Sequence, residues 1–129
     1  MRAHGLEVRT TADGSVIVHP TGDVGLDHAP ELRRLVVRTL LHIRPLRLIL
    51  DLSEVVTIDP INVGTVAAAC DLGDDYQVVV LIDNPRPALA ALLRAAGVPQ
   101  QRMRYLDRPQ PAVRSVRLGG AGVQAIFRR

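Results

Sequence analysis

Residues 46–64 read LRLILDLSEVVTIDPINVG. The first seven, Leu46 to Leu52, are almost continuously apolar, the pattern of a strand buried on both faces of a sheet. Asp59 and Pro60 then open an Ala/Val-rich run, Ile61 to Cys70. Aspartate is a preferred N-cap because its carboxylate accepts from the unpaired N–H groups of a first helical turn. Proline suits the first helical position, where its missing N–H would have no intrahelical partner. The stretch therefore reads as a buried strand handing over to a helix, closed by a turn at Gly73-Asp74-Asp75.

The flanking sequence repeats the alternation. Leu6 to Thr11 and Ser15 to Pro20 are β-rich runs around Ala12-Asp13-Gly14, a hairpin signal. Thr21-Gly22-Asp23-Val24-Gly25 breaks the pattern. Asp27 is expected to N-cap a helix running to about His42, with Pro30 tolerated in its first turn. Leu32, Val36, Leu40 and Ile43, widened by Leu35, form its apolar stripe, and Arg33, Arg34, Arg38 and His42 fall largely outside it. Pro45 stops that helix. Beyond the opening stretch, Gln77 to Ile82 is a second buried strand. Asn84 is expected to cap a third helix, with Pro85 at its first position and Gly97 at its end. Leu89, Leu92, Leu93 and Ala96 would form its inner face, and Arg102 to Leu106 a last short strand. The order β-β-α-β-α-β-α-β predicts one α/β domain over residues 1–106, a mixed four- to five-stranded sheet with parallel pairs covered by helices. Residues 107–129 form a basic Pro/Gly/Arg tail, either disordered or an appendage.

Bulk properties narrow the function classes. With only Tyr76, Tyr105 and Phe127 as aromatics among 129 residues, the core must be aliphatic. No apolar run reaches the roughly 20 residues of a membrane span, and the N-terminus lacks a signal-peptide stretch. The lone Cys70 permits no internal disulfide. A soluble cytoplasmic protein is the expectation. All sixteen basic residues are Arg, and five of them lie in residues 108–129 with no acid beside them. Residues 1–107 are left with eleven Arg against thirteen acids, a formal charge of about −2, so the pI near 10 belongs to the tail. A near-neutral domain with few aromatics argues against nucleic acid as the partner.

Catalytic motifs are missing. Neither a G-x-G-x-x-G fingerprint nor a P-loop occurs. His4, His19, His28 and His42 lack metal-ligand spacing, and Asp71, Asp74 and Asp75 read as a solvated turn, so neither metal nor cofactor is expected. Cys70 reads as a buried structural thiol. Attention falls on Gly22-Asp23, on Asp51 and Ser53 at the carboxyl end of the first central strand, and on the helix start at Asp59, because sites in open α/β sheets gather at the carboxyl ends of strands. Such a helix start also suits an anion.

From Leu6 to Tyr105 the chain resembles the STAS domain family of anti-sigma-factor antagonists. The resemblance rests on Gly22-Asp23-Val24, on LILDLSEVVTID (Leu48 to Asp59), on DPINVG (residues 59–64) in place of the family's Asp-Ser-Ser-Gly-Leu-Gly, and on AAGV (Ala95 to Val98). It implies a non-catalytic signalling module of bacterial transcription regulation whose partner is an anti-sigma factor of the serine-kinase ATPase type. The implied partner surface comprises Gly22, Asp23, Asp27, Ser53, Asp59, Pro60, Ile61, Asn62 and Thr65. The family's phosphoacceptor serine falls on Ile61, its preceding serine on Pro60 and its glycine on Asn62, so the resemblance implies a module without a phosphate handle. Thr57 and Thr65 are the nearest hydroxyls. Ile61 either turns inward to pack or stands out as an apolar contact that cannot be charged. The alternative function is a degenerate domain holding a nucleotide or other small anion at the helix N-terminus.

Overall fold

The computed structural model describes residues 5–106 and 115–117. The strands are β1 (Gly5–Thr10), β2 (Ser15–Val24), β3 (Arg47–Asp51), β4 (Val55–Ile58), β5 (Val79–Asp83), β6 (Met103–Arg104) and β7 (Ser115–Arg117). The α-helices are α1 (Ala29–Arg38), α2 (Pro60–Tyr76) and α3 (Pro87–Ala95). Apart from β7, the basic stretch expected at 107–129 lies outside the described residues.

The sheet runs β6-β5-β3-β2-β1-β7, and β4 pairs farther along β2. β2, β3, β5 and β6 are mutually parallel neighbours, whereas β1 is antiparallel to both β2 and β7. Alternation then decides the layers. Val16 and Val18, Leu48 and Leu50, and Val80 and Ile82 point to one face. There they join Leu32, Leu35 and Val36 of α1, Val63, Val66, Ala69 and Cys70 of α2, and Leu89, Ala90 and Leu93 of α3 in a single aliphatic cluster. All three helices thus cover the same face, and each buried Leu, Ile or Val contributes about 1.5–3 kcal/mol. The residues between point the other way. Ile17 and Ile49 pair across β2 and β3 on that face and are buried there. Arg9, opposite Ile17 in the register, reaches across to Asp51 at 3.7 Å. Asp83, fully buried, accepts two hydrogen bonds from Arg104, at 2.8 and 2.9 Å.

The expected hairpin forms. Gly14 sits at φ 89°, in the left-handed region that glycine enters without strain, and the Thr11 hydroxyl donates to the Asp13 carboxylate. That bond, with help from Arg47, holds the Asp13 pKa below its usual value.

Several local expectations are corrected. β2 does not end at Pro20 but runs through the supposed break to Val24, because a second partner, β4, is available to it. Residues 55–58, not read as a strand from sequence, supply that partner. Asp27 does not cap α1: the chain enters through a 3-10 turn, Leu26–His28, and the Asp27 carboxylate faces His28 Nδ1 at 3.2 Å. Gly73-Asp74-Asp75 is not a turn. α2 continues through it to Tyr76 and closes on Gln77, in the left-handed conformation at φ 62°. Gly73 is there for proximity, since a Cβ on it would lie 2.6 Å from the Val78 carbonyl oxygen. Asn84 does not cap α3, and Pro85 is not its first residue. Arg86 and Pro87 take those places. Asn84 instead tethers β6, donating its N–H to the Arg104 carbonyl at 2.7 Å while its Oδ1 accepts from the Leu106 N–H at 2.6 Å. Leu92 and Ala96 face solvent, the inner face of α3 being Leu89, Ala90 and Leu93. The last strand before residue 107 is two residues long.

Candidate functional site

β4 delivers the chain to the start of α2 beside the end of β2. Asp59 donates its N–H to the Val24 carbonyl at 2.9 Å, which fixes the helix start against that strand. Its φ/ψ of −73°/142° is the extended conformation of an N-cap, and its Oδ1 accepts from the Ile61 N–H at 3.0 Å. The N–H groups of Asn62 and Val63 both donate to the Asp59 carbonyl, at 2.9 and 3.3 Å. Pro60 has none to give. The first turn of α2 therefore spends its donors on Asp59, which also places a carboxylate at the positive end of the helix dipole. An anion arriving there would meet a negative group and engaged amides.

Ile61 settles the choice left by the sequence. It turns outward and is 51% exposed at the second helical position. Asn62, expected on the same surface, is completely buried. Its Nδ2 donates to the carbonyls of Val24 and Gly25, at 3.1 and 2.8 Å, while its Oδ1 has no hydrogen-bond partner. These two bonds hold the Gly22–Asp27 loop against the helix start. The signal for Asn62 was in the sequence: Asn62, Val66, Ala69 and Gly73 share the inner, helically spaced face of α2.

Near the end of β2, Gly22 takes φ 76° and donates its N–H to the Glu54 carbonyl at 2.8 Å, at the point where the β2–β4 register shifts. A left-handed residue inside a bulged strand explains glycine here. Asp23 accepts from the Thr57 hydroxyl at 2.7 Å. Leu26 stands 63% exposed next to Gly25. Asp27 projects into solvent.

The structure thus brings Asp23, Asp27, Asp59, Pro60, Ile61 and Asn62 towards the α2 end of β4, whereas Gly22 pairs with Val55 at the other end. Thr65 lies one turn into α2, where its hydroxyl donates back to the Ile61 carbonyl at 3.3 Å. Ser53 is left out: it lies at the opposite end of β4, about 13 Å of strand away, where its N–H donates to Asp51 Oδ1 at 3.1 Å. The two hydroxyls nearest Ile61 are both engaged, Thr57 against a carboxylate and Thr65 on its own helix.

Among the described residues, no three His, Cys, Asp or Glu side chains converge on a metal-sized site, and no helix is long and apolar enough to cross a membrane. Burial raises the pKa of Cys70. A cavity of about 10 Å³ lined by Leu6, Pro20, Val24 and Leu32 has room for about one water.

A mixed sheet with three helices on one face, in which the single residue Asp59 joins β4 to α2, defines an α/β domain. The family profile described as "Mlab, STAS domain" matches residues 8–106, and the chain belongs to that STAS domain family. A sequence comparison with curated proteins finds no match. Among solved structures, the phosphorylated form of the Bacillus cell fate determinant SpoIIAA is similar with a TM-score of 0.69 at 13% identity, over 79% of this chain and 91% of that one. An anti-sigma factor antagonist described as putative, from Thermotoga maritima, gives 0.66 at 17% identity, over 78% and 85%. A sulfate transporter family protein from Wolinella succinogenes gives 0.60 at 16% identity, over 74% and 79%. At these identities the likeness is one of fold.

Proposed function

We infer that the protein is a non-catalytic signalling module resembling anti-sigma-factor antagonists, which binds a protein partner such as a serine-kinase-type anti-sigma factor. The surface is the first turn of α2 with the Gly22–Asp27 loop, and its binding is not switched by phosphate. One observation carries this reading: Ile61, at the capped start of α2, is a half-exposed apolar side chain where the family resemblance places a hydroxyl. Leu26, exposed on the loop that Asn62 holds against the same turn, extends the apolar contact. The Thermotoga maritima structure described as a putative anti-sigma factor antagonist shares the fold, which supports a cytoplasmic role in transcription regulation. In this reading residues 1–106 are the module and 107–129 an accessory tail.

The anion-binding alternative loses support because Asp59 takes up the helix donors that an anion would need. Capture on an immobilised serine-kinase-type anti-sigma factor tests the proposal. Wild type is retained and Ile61→Asp is lost, since a carboxylate at the centre of an apolar contact is desolvated without a partner. Equal retention of the two proteins removes the helix start from the interface.

A further inference from the structure

We propose that Asn62 is the positioning residue of this surface, locking the Gly22–Asp27 loop and the start of α2 into one preformed shape that a partner meets ready-made. The proposal rests on the partner-binding reading above and names what sets the geometry of that site.

Asn62 is fully buried at the third position of α2, where its neighbours on the inner face are Val63, Val66 and Ala69. Its amide reaches one segment, 38 and 37 residues away in sequence, accepting no bond and giving two, to the carbonyls of the adjacent Val24 and Gly25. The orientation of the amide follows from its surroundings. With the oxygen turned toward these carbonyls, three acceptors would face one another. The remaining oxygen is buried and unpartnered, which costs free energy that an apolar side chain in the core would not. What the amide contributes is the pair of bonds it gives. Its two bonds act where the surface is assembled: the Gly25 carbonyl directly precedes exposed Leu26, and the Asn62 backbone directly follows exposed Ile61. Beyond Val24, whose carbonyl also accepts from the Asp59 N–H, the segment is otherwise shaped by the 3-10 turn Leu26–His28, where the His28 N–H donates to the Gly25 carbonyl at 3.1 Å and the Gly25 N–H donates to His28 Nδ1 at 3.3 Å. A surface held in its bound shape before association loses less conformational entropy on binding.

Backbone ¹⁵N relaxation on the full chain tests the lock without any partner. In wild type, the order parameters of Gly25, Leu26 and Asp27 are expected near those of β3, about 0.85, and in Asn62→Ala they are expected to fall to about 0.6 or below while Leu48, Leu50 and Ile82 keep theirs. A merely structural role would loosen β3 and β5 along with the loop. The idea is overturned if the wild-type loop is already mobile, if it stays rigid in Asn62→Ala, or if the whole sheet loosens with it. Capture on the serine-kinase-type anti-sigma factor then supplies an independent arm. Asn62→Ala is expected to bind about tenfold more weakly than wild type, and full affinity despite a loosened loop, where Ile61→Asp has lost binding, also overturns the role. Loss of binding in neither Asn62→Ala nor Ile61→Asp, with the loop rigid in wild type and loosened in Asn62→Ala, instead sinks the partner-binding reading and leaves the mechanical lock standing.

Discussion

Two glycines in α2 should respond with opposite signs to the same substitution. Gly64 is exposed, and a Cβ placed on it meets nothing within 4 Å. Gly64→Ala therefore adds only helix propensity and is expected to stabilise by about 0.5–1 kcal/mol. Gly73 lies on the inner face, where a Cβ would stand 2.6 Å from both the Val78 carbonyl oxygen and Val80 Cγ2. The valine can adjust, but the carbonyl belongs to the backbone that leads into β5, and the Val78 N–H is itself bound to the Gly73 carbonyl at 2.8 Å. Overpacking of this kind costs about 1–3 kcal/mol, or somewhat more where backbone must shift. Because the atom met is backbone, the upper part of that range applies, about 2–3 kcal/mol, and subtracting the propensity gain leaves Gly73→Ala destabilising by about 1–2 kcal/mol. At about 4 °C per kcal/mol for a domain of this size, Tm should rise by about 2–4 °C in the first variant and fall by about 4–8 °C in the second. Thermal unfolding followed by circular dichroism, checked by urea midpoints, reads both. A Gly73→Ala protein more stable than wild type would refute the close approach of α2 to β5 as described.

Asp59→Ala removes the cap on the Ile61 amide and should cost about 1 kcal/mol in urea unfolding, whereas Asp59→Asn or Asp59→Ser should recover most of it; an unchanged midpoint would mean the cap is not formed. Cys70 is buried and its thiol pKa raised by that burial, so in the native state at neutral pH a thiol reagent should label it only as fast as the domain opens. Rapid labelling without denaturant contradicts the packing of α2. Because the shift favours the protonated thiol in the folded state, its contribution is complete below the unfolded thiol pKa and fades as pH rises through the higher folded value. A Cys70→Ala variant should lose that alkaline component of the stability curve.

Much of the fold was legible because period and composition agree: continuously apolar runs at 46–52 and 77–82 became the central parallel strands, and the stripe Leu32, Leu35, Val36 became the inner face of α1. The misreadings have local causes. Val55, Val56, Thr57 and Ile58 have strand propensity, yet a strand of four residues is recognisable only once its partner, the extension of β2, is known. Gly73 looked like a helix end, but glycine serves equally where two backbones touch. Asn84 and Asp27 have capping side chains that were taken up elsewhere, by Leu106 and beside His28. At the site, Asp59 and Pro60 follow from helix chemistry alone. The inward turn of Asn62 is written in its helical spacing to Val66, Ala69 and Gly73, but its polar side chain masks the pattern, and the outward turn of Ile61 depends on how α2 is rolled against the sheet.

The central claim is that this surface binds without a phosphate switch. Intact-mass measurement after incubation with a serine-kinase-type anti-sigma factor and ATP tests it most directly, using wild type beside Ile61→Ser. The wild-type mass should stay unchanged and its complex persist, while Ile61→Ser, with a hydroxyl restored at the helix start, should gain one phosphate and dissociate. A stoichiometric phosphate on wild type, at Thr57 or Thr65, would contradict the account.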